Sequence, residues 1–75
     1  MELWLIQTYG DFDIKVTLGV ATSQDKAGRL IKTEARNSNI RILEIKPGEF
    51  HELKNGEIQE DIKYNCEKIT ADKIL

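Results

Sequence analysis

An α+β domain is what this sequence predicts: an antiparallel-rich sheet in the order β-β-α-β-β-β, with one main helix on one of its faces. Three observations predict it. Apolar residues alternate with polar ones over Ile14, Val16, Leu18 and Val20, the period-two mark of a half-buried strand. A hydroxyl-x-x-acid start at Thr22-Ser23-Gln24-Asp25 opens a stretch whose apolar residues fall at helical spacing. Gly10-Asp11, Pro47-Gly48 and Asn55-Gly56 then divide the remainder into short segments.

The first strand is expected over residues 3–9 and the second over 14–20, joined at Gly10 to Asp13 into a hairpin. A two- or four-residue loop there would put Leu3 and Leu5 on one face with Val16 and Leu18. The helix follows over about 23–36, capped from Thr22 with Asp25 at its positive end. Ala27, Leu30, Ile31 and Ala35 form its apolar stripe, Gly28 weakens it, and Asn37-Ser38-Asn39 ends it. A third strand is read over 40–46. Segments 49–54 and 57–64 flank Asn55-Gly56, the preferred dipeptide of a type I′ hairpin. The last segment fits two periods. Ile58, Ile62, Cys66 and Ile69 are spaced as on a helix, whereas Ile58, Ile62 and Tyr64 fit one strand face. The expectation is a strand to about residue 64, then a short C-terminal helix or a loose tail.

Seventy-five residues make a single domain, 1–75. A chain of this length buries only about 60–65% of its unfolded surface, which leaves its stability marginal. One cysteine, Cys66, allows no internal disulfide. With one histidine, His51, it cannot build a structural zinc site. The apolar start at Met1 to Ile6 lacks a basic region and is too short for a signal peptide, and no apolar run approaches a membrane span. A cytoplasmic setting and no membrane partner are expected.

The net charge is −2. Residues 1–48 carry seven Lys/Arg and six Asp/Glu, and residues 49–75 carry four and seven. This balance argues against direct nucleic-acid binding through phosphate contacts. Lys26, Arg29, Lys32 and Arg36 share a helix face that reads as solvated. No glycine-rich phosphate loop is present, and no cofactor is implied. Asp11 and Asp13 are two carboxylates in a turn, where capping chemistry explains them without a metal. His51 and Cys66 have no motif that joins them, and a lone cysteine usually packs as a small hydrophobe. No catalytic residue and no enzymatic activity are expected.

The run Val16-Thr17-Leu18-Gly19-Val20-Ala21-Thr22-Ser23-Gln24-Asp25-Lys26-Ala27 resembles a pattern of small uncharacterised bacterial and phage β-β-α-β proteins. In these, a hairpin strand ends in Gly-Val and a Thr/Ser-capped helix follows. The resemblance covers the first half of the chain and transfers no catalytic residue. It implies an accessory protein of a mobile element that acts by binding and blocking a host protein.

Two features point to where a partner would bind. Glu49, Glu52, Glu57, Glu60 and Asp61 face a single Lys54 over residues 49–61. They read either as the solvent side of a hairpin or as a row of carboxylates about 6–7 Å apart, able to imitate a phosphate backbone for a nucleic-acid-binding host protein. The first strand is apolar on both sides, and one helix covers one face only. Trp4 and Ile6 are therefore expected to face a partner, the C-terminal segment or a second subunit. The function expected is a small non-catalytic protein-binding module of the phage-inhibitor type. The alternative is a homo-oligomer with a structural or small-ligand-binding role.

Overall fold

In a computed structural model of the chain, which describes residues 2–10 and 14–70, the elements are β1 (Glu2–Tyr9), β2 (Lys15–Ala21), α1 (Gln24–Asn37), β3 (Ile42–Lys46), β4 (Glu49–Lys54) and β5 (Glu57–Thr70). The strands form one sheet in the order β2-β1-β5-β4-β3, with every neighbouring pair antiparallel. The β1–β2 hairpin ends at one edge. Helix α1 carries the chain across to the other edge, and the β3-β4-β5 meander returns it to pair with β1. The central strand β5 is thus paired with β1, the last strand beside the first.

The local signals explain each element. Ser23 caps α1, its hydroxyl accepting from the Lys26 amide at 3.2 Å, with Asp25 in the first turn. The cap is one residue later than the Thr22 expected, since Ser23 takes the extended backbone a cap needs. At the other end Asn39 adopts φ 57°, the Ile40 amide donates to the Ala35 carbonyl at 2.8 Å, and the Asn39 amide donates to that of Arg36 at 3.1 Å. This is a Schellman stop with asparagine in the left-handed position. Asn55 and Gly56 both have positive φ, as a type I′ turn requires.

Ala27, Ile31 and Ala35 of α1 pack onto Ile6, Ala21, Phe50, Tyr64 and Cys66, with Trp4, Ile40 and Ile42 at the margin. Small alanines bring the helix close to the sheet. Phe50 and Ile31 are the largest side chains fully enclosed there.

Three expectations are corrected. Residues 65–70 are strand, with no short helix. Their Cα partners run along β1 from Gln7↔Asn65 to Glu2↔Thr70, and this long-range ladder overrides the helical spacing of Cys66 and Ile69. Residues 71–75 of the expected tail lie outside the described residues. The hairpin register also differs. Leu5 pairs with Val20 and Thr8 with Val16, because an extra residue at Leu18 interrupts the β1–β2 ladder. Finally, Trp4 and Ile6 lie under the helix, Ile6 being only 3% exposed. The face left over is that of Leu3 and Leu5.

Candidate functional site: the outer face of the sheet

Cα partners in neighbouring strands share a face, and successive residues alternate, so the outer face can be assembled strand by strand. Its middle is one polar row that crosses all five strands: Thr17, Gln7, Asn65, Glu49 and Lys46. On one side of this row stand Leu3, Leu5, Val20 and Ile69, with the exposed Glu67 among them opposite Leu5. On the other, past the Tyr9–Lys15 pair, stand Leu43, His51 and Ile62, then Leu53 and Ile58. Val20, Leu43 and Ile58 are exposed, whereas Leu3, Leu5, Leu53, Ile62 and Ile69 are half-buried. The face therefore presents two apolar patches divided by a polar belt, which single-sided antiparallel sheets ordinarily fill with charged residues.

The belt contains an unsatisfied group. Gln7 is 7% exposed, and its Oε1 has no hydrogen-bond partner among the described residues. An enclosed amide oxygen without a donor costs about 1–3 kcal/mol. Next to the belt, the Lys15 ammonium lies 5.5 Å from the centre of the Tyr9 ring, a cation–π contact that fixes one end of the face.

His51 sits in the second patch. Its Nδ1–H donates to the Gln59 carbonyl at 2.9 Å, since a carbonyl can only accept. Cys66 belongs to the opposite, helix-facing side, buried against Gly48. Burial pushes its thiol pKa up, and the Glu44 carboxylate adds to the rise. A thiol held neutral, on the other side of the sheet from the only histidine, has no arrangement for nucleophilic chemistry. Tyr64, on the same buried side, is also raised, by burial first and then by Glu34.

The acidic residues do not align. Glu49 lies on the outer face in the belt, and Glu52, paired with Ile42, lies on the helix side. Glu57 pairs with Lys54 beside the hairpin turn, and Glu60 and Asp61 are exposed beyond it. Strand alternation and the irregular β4–β5 ladder thus divide the five carboxylates instead of placing them in one row. Asp11 and Asp13 lie outside the described residues. Among the described residues no cluster of three His, Cys, Asp or Glu side chains could hold a metal ion, and no helix is long and apolar enough to cross a membrane. A cleft of about 300 Å³ between α1 and β3, lined by Gln24, Asp25, Gly28, Lys32 and Glu44, is polar and open.

Sequence reasoning found a surplus apolar face but named the wrong one. The alternation of Leu3/Leu5 against Trp4/Ile6 is symmetric in the sequence, and only helix packing breaks it. Comparison with protein-family models, with curated proteins and with solved structures finds no match.

Proposed function

We propose that this chain is a non-catalytic protein-binding module whose contact surface is the outer face of the sheet. The observation that supports the reading is the pair of apolar patches flanking the Gln7 belt on the side that α1 does not cover. Apolar anchors around a polar strip that includes an unpaired amide suit a partner that buries side chains and supplies hydrogen bonds. The inhibitor role implied by the resemblance would use this same face to cover a site on the partner.

Affinity capture from lysate of the source cell tests this. The wild-type chain, a Leu43→Glu/Ile58→Glu variant and a Lys32→Glu control on the helix are compared. The reading expects a specific protein retained by wild type and control and lost with the outer-face variant. Capture of no protein at low salt, or capture that survives the outer-face charges, overturns it.

A further inference from the structure

A second surface lies on the β2 flank of the molecule and meets the outer face only at Val20. Strand β2 is a sheet edge, and among the described residues no strand pairs with its outer row of backbone amides and carbonyls. Edges of this kind are ordinarily blunted by charge or proline. Here Ile14, Val16, Leu18 and Val20 are all between 42% and 59% exposed, and Lys15 is the one charge among the residues of β2.

Above this edge runs one flank of α1. Ala27, Ile31 and Ala35 point into the core, and Gly28 and Lys32 border the cleft toward β3. Leu30 and Glu34 line a groove of about 160 Å³ with Ile6, Leu18, Gly19 and Val20. Lys26, Leu30 and Glu34 are four residues apart and form one stripe on the exposed flank. Leu30 is 51% exposed at its centre.

We propose that this flank is a self-association surface whose occupant is a second copy of the same chain, with the two α1 helices antiparallel about a two-fold axis at Leu30. The charge order of the stripe carries the proposal. A two-fold centred on Leu30 sets Leu30 on Leu30 of the other copy, and it sets each Lys26 against the other copy's Glu34, once on either side. A cation-apolar-anion stripe is complementary to itself only in this antiparallel arrangement, as an isologous interface requires. The same axis brings Leu18 of both copies beneath the leucine contact and lays the two β2 edges side by side. Val20 lies at the border of the two surfaces, and the rest of each outer face, including the Leu43, His51 and Ile62 patch, stays free, so dimerisation would double most of the surface proposed above.

Charge reversal tests the arrangement in a way that stability effects cannot imitate. Lys26 and Glu34 are eight residues apart on one exposed flank, so their pairing must be between copies. Dissociation constants are measured by analytical ultracentrifugation up to about millimolar chain, with helicity followed by circular dichroism. Leu30→Glu is expected to abolish the dimer while the fold persists. Lys26→Glu alone and Glu34→Lys alone are each expected to weaken it by roughly 3- to 30-fold, since each change acts twice by symmetry. The double variant Lys26→Glu/Glu34→Lys is expected to return to the wild-type constant. A wild-type chain that stays monomeric throughout this range overturns the proposal. So does a dimer indifferent to Leu30→Glu, a double variant no tighter than the single ones, or a dimer broken by Leu43→Glu instead.

Discussion

Gly48 is the most tightly enclosed of the five glycines. Its φ is +80°, and a β-carbon there would stand 2.8 Å from the Cys66 carbonyl oxygen and 3.1 Å from Cys66 Sγ. Its carbonyl accepts from the Cys66 amide at 2.8 Å, and its amide donates to Glu44 Oε2 at 3.0 Å. Gly56 has a similar φ of +77° with nothing within 4 Å. Gly56→Ala should therefore cost only the left-handed penalty, about 1–2 kcal/mol. Gly48→Ala should cost more, about 3 kcal/mol or above, because backbone must also move. Urea unfolding of the two variants measures the difference. Gln7→Leu should be neutral or stabilising by up to about 1 kcal/mol, since it removes an unpaired enclosed amide. The same unfolding experiment reads it, and a loss above 1 kcal/mol would show that the amide is satisfied in solution.

Cys66 and Tyr64 should weaken the fold at alkaline pH. Both have folded-state pKa values above their ordinary 9.0 and 10.0, chiefly through burial. The folded state then holds these protons more tightly than the unfolded one. Their contribution is complete below the unfolded pKa values and is lost as pH rises through the folded ones. The urea midpoint should hold to about pH 8 and fall above it. Cys66→Ala and Tyr64→Phe should each make that fall shallower.

At the scale of elements, α1 is specified locally at both ends. Ser23→Ala should cost about 1 kcal/mol by removing the bond to the Lys26 amide, seen as a lower thermal midpoint. The hairpin at Asn55-Gly56 was legible for the same reason: few dipeptides accept two positive φ angles in succession. Strand β5 was only half legible. Its residues beyond Tyr64 satisfy a helical spacing as well as a strand, and the choice falls to β1, which is more than fifty residues earlier in the chain. The irregular ladders at Leu18 and at residues 59–63 have no local signature either, and they decide which side chains share a face.

At the scale of the whole molecule, one helix on a five-stranded sheet leaves one face without cover among the described residues. Ile6→Ala and Leu43→Ala distinguish the two faces. The first removes side-chain volume from the enclosed core and should cost about 2–5 kcal/mol. The second lies on the outer face, 46% exposed, and should cost less than about 1 kcal/mol. Comparable losses would mean that the outer face is covered in the free protein.

The sequence by itself determined the class, the order of the elements, the helix with its stops and the presence of one apolar face too many. These follow from periodicity, capping and turn chemistry, all of which act within a few residues. Tertiary structure alone decided that Ile6 is core with Trp4 at its margin, and that Leu3 and Leu5 look outward. It also decided that Glu49 and Glu52 part company and that Lys26, Leu30 and Glu34 stand above an apolar edge. Each of these depends on which face α1 packs against and on where a ladder slips by one residue. Both are settled by contacts between segments far apart in the chain.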